Sequence, residues 1–506
     1  MASSRANRFT PTRTAMNTLP TDLYRAAQVR ELDRTAIEDL QIPGYTLMQR
    51  AGQAAFDVLR ARWPQAADLL VIAGPGNNGG DGYVVARLAH EVGISVQVLQ
   101  LGDAGRLRGD ALRAREHFLA AGGGVEPYAG QALPGCDVIV DALLGTGLER
   151  EVKGGFGDAI EAVNAHPAPA LAVDIPSGLH ADRGVPLGAA VRARCTVTFI
   201  GLKQGLFTGL APDYCGEICF DALGVPQGVY ARQEAAARRI VPELYGALLR
   251  PRERTAHKGH FGHVLVIGGE QGTSGAARMA AQAAARVGAG LVSVATRTVH
   301  APVLNADIPV LMVHGVEDAA DLEPLLGRAS VVAIGPGLGR GDWGRRMFTA
   351  ALACGRPLVV DADALNLLAE APVSRQDWVL TPHPGEAGRL LGRDAGAIQG
   401  DRYGAAEALA QRLGGVVVLK GAGTVVRSRE RTAVCSAGNP GMATGGMGDV
   451  LTGIVAGLLA QGLEPVAATE LGVCLHATAG DVAAREGERG LIATDLFAPL
   501  RRLLNP

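Results

Sequence analysis

Short β-branched apolar runs alternate with alanine-rich amphipathic stretches along most of the chain, a rhythm that predicts parallel strands connected by helices. The first series of strands is expected at residues 69–73, 96–101, 138–144, 171–175 and 197–200. A second series is expected at 264–267, 291–295, 331–334, 358–360, 378–380 and 416–419. Between them, residues 227–254 are rich in Ala, Arg and Glu and carry no buried-strand pattern. The expected organisation is therefore an N-terminal α/β domain over residues 21–228, a linker over 229–254 and a C-terminal α/β domain over 255–506. No sequence repeat relates the two halves.

Length agrees, because 506 residues exceed what one hydrophobic core usually supports. A formal net charge of -2 gives no electrostatic reason for nucleic acid or anionic membrane as a partner. No apolar segment is long enough to span a bilayer. Seven cysteines include no Cys-x-x-Cys pair, which favours reduced thiols and a cytoplasmic protein over a zinc site. Residues 1–20 carry Arg5, Arg8 and Arg13 without an acidic residue and read as a disordered tail or an extension upstream of a start at Met16, ahead of the alternative of a transit peptide. Against many arginines the only lysines are Lys153, Lys203, Lys258 and Lys420, each in a glycine-bearing turn segment, where a compact point charge suits a phosphate; chance placement is the competing reading.

Near the C-terminus Asn439-Pro-Gly-Met-Ala-Thr-Gly-Gly-Met-Gly-Asp449 runs directly into an apolar stretch. A glycine loop there delivers an aspartate to a helix start. Backbone N–H groups from Thr444 to Gly448 lack intrahelical partners at the positive end of a helix dipole and suit a developing phosphoryl charge. Asp449 is placed to take a proton from an attacking hydroxyl. The competing reading is a glycine hinge.

The strand at 69–73 ends in Gly74-Pro-Gly-Asn-Asn-Gly-Gly-Asp-Gly82, with a helix-compatible run after it at 83–90. Gly74, Gly76 and Gly79 satisfy a dinucleotide fingerprint formally, but Asn77, Asn78 and Asp81 add oxygens that a plain fingerprint lacks. Two further strands end in oxygen ligands, at Asp141 and at Asp174 with Ser177. In an open parallel sheet these ends converge, so Asn78, Asp141 and Ser177 could share an alkali cation. Each Asp alone could equally be a helix cap.

These segments carry a resemblance. GPGNNGGDG, DALLGTGLERE at 141–151, VDIPSG at 173–178 and FIGLKQGLFTG at 199–209 together resemble the NAD(P)H-hydrate epimerase domain. The resemblance implies a Rossmann-like parallel sheet in which Asn77, Asn78, Gly79, Gly80, Asp81, Gly145, Thr146, Gly147, Leu148, Glu149, Arg150, Glu151 and Asp174 contact hydrated dinucleotide. It implies potassium on Asn78, Asp141 and Ser177, and makes Asp174 the candidate acid/base, ahead of Asp81. Gln49 stands where that family often has Glu.

The second half, from HKGHFGHVLVIGG at 257 through GPGLG at 335, DADALN at 361, TPHPGE at 381 and KGAGT at 420 to Asp449, resembles the ADP/ATP-dependent NAD(P)H-hydrate dehydratases of the ribokinase-like fold. By that resemblance Ala276, Gly337, His383 and Asp449 contact the hydrate, and Lys420, Gly421, Ala422, Gly423, Thr424 and Gly448 contact ADP or AMP. Glu386 is a candidate for Mg2+ through water. A homo-oligomer and ADP as phosphoryl donor are likewise implied only by the resemblance.

The joint expectation is repair of hydrated NADH and NADPH: epimerisation of R and S forms, then ADP-dependent dehydration of the S form to NAD(P)H, AMP and phosphate. Three alternatives stay open: a vitamin or sugar kinase of the same fold, a non-catalytic dinucleotide-binding N-terminal module, and a plain NAD-dependent dehydrogenase.

Overall fold

Residues 19–505 are described by a computed structural model, so the expected tail lies almost wholly outside the described residues. Every strand anticipated from apolar patterning is present, with ends shifted by no more than two residues. These strands are buried on both faces, which is why they read as continuous Val/Ile/Leu runs rather than alternating ones.

The N-terminal sheet has seven parallel strands in the spatial order Val125–Pro127, Ser95–Gln100, Asp68–Ala73, Val138–Ala142, Ala170–Val173, Cys195–Phe199 and Glu217–Asp221. From Asp68–Ala73 the chain first builds outward on one side and then returns to build on the other. The order therefore reverses between Asp68–Ala73 and Val138–Ala142, and a crevice opens at their C-terminal ends.

The second sheet begins in the same way. Its parallel strands run Met312–Gly315, Leu291–Thr296, His263–Ile267, Val331–Ile334, Leu358–Val360, Trp378–Leu380 and Val416–Leu419, with the reversal between His263–Ile267 and Val331–Ile334. Two antiparallel strands, Thr424–Arg427 and Thr432–Cys435, extend it.

Beyond Thr432–Cys435 the sheet continues with strands from the first half: Ala237–Arg239, Asp22–Tyr24 and Leu202–Lys203. The stretch expected to be a linker thus contains a strand bonded to the second sheet. At two or three residues each, these pieces are too short to leave a periodic signal. One buried cluster accordingly mixes Leu23, Leu202 and Phe207 with Leu419, Val425 and Val434. Among the described residues no helix is long and apolar enough to cross a membrane.

Candidate active sites

The crevice of the first sheet is entered by the helix Asn77–Glu91, which starts six residues earlier than the helix-compatible run suggested. Its glycines belong to the helix because it lies almost against the strands. A Cβ on Gly79 would overlap the carbonyl of Gly74, and one on Gly82 would approach Ala142 Cβ to 2.5 Å. Asn77 is exposed at the helix start, whereas Asn78 is buried and neither its amide nitrogen nor its oxygen has a hydrogen-bond partner.

Asp141 and Ser177 meet beside it. Ser177 Oγ donates to Asp141 Oδ1 at 2.5 Å and Ser177 N–H to Oδ2 at 2.8 Å, while Leu144 N–H donates to Ser177 Oγ at 2.7 Å. Gly145, the next residue, packs on Asn78, so the three expected ligands surround one turn. Burial lifts Asp141 to about 6 despite the hydrogen bonds that favour its charged form. The rest of the expected contact loop, Thr146, Gly147, Leu148, Glu149, Arg150 and Glu151, runs outward, with Glu151 paired to Lys153 at 2.8 Å on the surface.

Asp174 is held differently. Its backbone has φ +67°, a region that non-glycine residues seldom occupy, and it caps no helix. Its carboxylate is clamped by the ammonium of Lys203, which is 1% exposed and also donates to Thr198 Oγ1 at 2.8 Å and the Phe199 carbonyl at 3.1 Å. Asp81 and Asp33 face the same group. Burial and the neighbouring Asp174 push Asp81 well above the usual carboxylate range and raise Asp33 as well. One buried cation thus serves several carboxylates, and the surplus acids hold protons more tightly. Asp33, from the helix Ala26–Glu38, belongs to no motif and is missed by sequence reasoning.

In the second half the loop before Asp449 opens the helix Met447–Ala460 from Gly446, whose φ is +89°. Its first intrahelical bond runs from Val450 N–H to the Gly446 carbonyl, leaving the amides of Met447, Gly448 and Asp449 without helical acceptors. Burial first, and then the nearby Asp361, raises Asp449 to about 7.

Lys420 lies against this helix start, and a Cβ on Gly448 would come within 3.1 Å of its Nζ. The ammonium donates to Asp361 Oδ1 at 2.6 Å and stands 3.9 Å from Glu386 Oε2. Burial would lower its pKa, but Asp361 and Glu386 outweigh that and hold it up. Asp361, 1% exposed, occupies an N-cap position yet does not cap; its other oxygen accepts from Thr452 Oγ1 at 2.8 Å.

His383, 50% exposed, is the N-cap of Pro384–Leu391. Its Nδ1 accepts from Gly385 N–H at 2.9 Å, and Glu386 closes the reciprocal bond to His383 N–H at 2.8 Å. Burial raises Glu386 to about 7. Gly337 and the turn before Ala276 are joined by Thr273 Oγ1, which donates to the Gly337 carbonyl at 2.9 Å. Asp363 accepts from Gly339 N–H at 2.9 Å and adds to the field that raises Asp449. His476 is a further residue missed from sequence: burial pulls it down to about 4, near Met447 and Lys420, and its Nε2 has no partner.

Both crevices are thus those of nucleotide-handling α/β proteins, each at a reversal of strand order, each with a helix N-terminus, a lysine withdrawn from most solvent and several carboxylates. Residues 44–205 match the family model described as YjeF-related protein N-terminus, and residues 264–502 match the one described as NAD(P)H-hydrate dehydratase. The bifunctional NAD(P)H-hydrate repair enzyme Nnr of Coxiella burnetii is 51% identical, the match covering 96% of this chain and 100% of that protein. The Escherichia coli enzyme of the same name is 48% identical, over 96% and 95% of the two chains. A ribokinase-like superfamily protein from Enterococcus faecalis is 30% identical with a TM-score of 0.51, over 54% of this chain and 96% of its own. This chain belongs to the bifunctional NAD(P)H-hydrate repair enzyme family.

Proposed function

We propose that the chain restores hydrated NADH and NADPH in two steps, one in each crevice. The observation that carries this reading is Asp449: a carboxylate raised to about 7 at a helix N-terminus, beside Lys420, in a chain of this family. A base so tuned is half ionised near neutral pH and can take a proton from an alcohol as it attacks.

The hydrate carries a hydroxyl on C6 next to the ring nitrogen, and hydroxide is a poor leaving group. Asp449 takes the hydroxyl proton, and the oxygen attacks the terminal phosphoryl of ADP. The P–O bond to AMP breaks, with the amides of Gly448 and its neighbours and the Lys420 ammonium facing the transferring charge. The nitrogen lone pair then expels phosphate, and loss of a C5 proton restores the reduced nicotinamide. Ala276, Gly337 and His383 are assigned to the hydrate, and Lys420, Gly421, Ala422, Gly423, Thr424 and Gly448 to the nucleotide. Mg2+ held through water by Glu386 would neutralise nucleotide charge; a buried carboxylate near neutrality fits such an ion.

Only one epimer presents its hydroxyl to Asp449, the S form by the family's pattern, so the first crevice interconverts R and S. Asp174 takes the C6 hydroxyl proton, the C6–N1 bond opens to an aldehyde, and the nitrogen receives a proton from Asp81. Reclosure on the other face inverts the centre. Residues Asn77, Asn78, Gly79, Gly80 and the turn Gly145 to Glu151 are assigned to the dinucleotide. The unpartnered buried amide of Asn78, with oxygens from Asp141 and Ser177, fits K+, which would supply a fixed positive charge.

Incubating mixed hydrate epimers with ADP and following nicotinamide absorbance tests the whole scheme. Full recovery with release of orthophosphate and AMP is expected, whereas a stable phosphoester would identify a small-molecule kinase. We place the epimerase domain at 21–228, the connection at 229–254 and the dehydratase domain at 255–506, in a cytoplasmic homo-oligomer.

A further inference from the structure

Arg402 is 0% exposed and pairs with no carboxylate among the described residues. Burial draws its guanidinium down to about 10, a cost only full hydrogen bonding offsets. Its donors are spent on backbone oxygens of one loop: Nη2 reaches the carbonyls of Leu419 at 3.0 Å, Lys420 at 3.2 Å and Gly423 at 3.3 Å. Nη1 donates to Gln399 Oε1 at 2.6 Å, and Nε crosses to the first half of the chain, to Thr208 Oγ1 at 3.0 Å.

Thr208, fully buried, passes the contact back to the same loop. Its Oγ1 donates to the Gly423 carbonyl at 2.7 Å, and Gly209 N–H donates to the Ala422 carbonyl at 3.1 Å. Gly423, at φ +62°, lies so close to this strand of chain that a Cβ would overlap the Phe207 carbonyl. The carbonyls of Lys420, Ala422 and Gly423 are therefore all turned toward Arg402 and the segment 207–209. Because a trans peptide points its N–H opposite its C=O, the amides of Gly421, Gly423 and Thr424 are turned the other way, as donors for a phosphate chain.

We infer that Thr208 and Arg402 are positioning residues for the nucleotide, so that the first half of the chain completes the nucleotide site of the second. The inference rests on the assignment of Lys420, Gly421, Ala422, Gly423 and Thr424 to the nucleotide. The strut is also short-coupled to the other crevice, since Thr208 follows by five residues the Lys203 that clamps Asp174.

The test uses the full chain and ADP binding by calorimetry, with KM values for ADP and for the hydrate. Thr208→Val removes the hydroxyl and keeps the shape; it should weaken ADP binding about tenfold, with kcat at saturating ADP and the KM for hydrate unchanged. Thr208→Ser should restore ADP affinity. Gln399→Leu, at an exposed position, should weaken ADP severalfold by releasing Nη1, and guards against a Thr208→Val protein that does not fold. Tyr403→Phe breaks another contact between the halves, Tyr403 OH to the Gln204 carbonyl at 3.0 Å, and should leave ADP affinity alone. Unchanged ADP affinity in folded Thr208→Val or Gln399→Leu overturns the inference. So does equal weakening in Tyr403→Phe, which would mean general loosening. Failure of the unmodified protein to bind ADP would overturn the nucleotide assignment itself.

Discussion

Lys420 Nζ lies 2.6 Å from Asp361 Oδ1, and the pair forms the floor on which the Asp449 helix begins. Asp361 is buried and Lys420 keeps only 19% of its side chain exposed, so neither is replaceable alone. Lys420→Met should destabilise the protein by about 3–5 kcal/mol, because Asp361 is left as an uncompensated buried charge. Adding Asp361→Leu to it should recover most of that stability in urea melts without recovering dehydration. If the single variant is as stable as the unmodified protein, the pair carries no such charge balance.

Separate chemistry in the two crevices predicts separable losses. Asp449→Asn should lower dehydration about a thousandfold and leave R-to-S equilibration intact, and Asp174→Asn should do the reverse, within the range expected for removing a general base. Chromatographic resolution of the epimers beside nicotinamide absorbance measures both at once. A joint loss in both variants would defeat the two-site assignment.

The pH profile follows from Asp449 at about 7. A base works when deprotonated, so kcat for dehydration should fall about tenfold per unit below that value and level off above it. Glu386, also raised to about 7, is the competing origin of such a limb. Glu386→Gln should leave the limb in place.

The same carboxylate has a stability consequence of opposite sense. Its folded pKa exceeds the ordinary value, so its contribution is fully present in acid and is lost as pH rises through about 7. Asp449→Asn should therefore raise Tm at about pH 8 and leave it unchanged at about pH 4. An equal Tm at both pH values for variant and parent would mean the group is not desolvated.

Asn78 gives the cation prediction. Exchanging K+ for a bulky organic cation should slow epimerisation while dehydration proceeds. Asn78→Leu should reproduce that loss, and in K+-free buffer should not lower stability, because no protein group is paired with the buried amide. A large drop in Tm would show that the amide is already satisfied.

The framework was legible because buried parallel strands write themselves as uninterrupted apolar runs, and the glycine loops mark where those strands end. The four lysines divided cleanly: Lys203 is buried in one crevice and Lys420 is partly buried in the other, whereas Lys153 and Lys258 are exposed. The partner of Lys420 could not be read, because Asp361 lies 59 residues away in the chain and looks like an ordinary helix cap, and Asp33, the further acid near the Lys203–Asp174 pair, looks like an ordinary helix residue. The helix start at Asn77 was hidden by glycines that normally break helices and here admit close packing. The strands Asp22–Tyr24 and Ala237–Arg239 were invisible because pairing, not composition, makes them strands.

That pairing bears on any attempt to divide the chain. Severing it near residue 255 and producing the downstream portion alone would strip Ala237–Arg239 from Thr432–Cys435. A row of unbonded amides and carbonyls would then be bared on an apolar strand, an invitation to self-association. The upstream portion would in turn lose the ladder that anchors its outermost pieces. Covalent fusion is, on this view, less a tether between two machines than a shared seam.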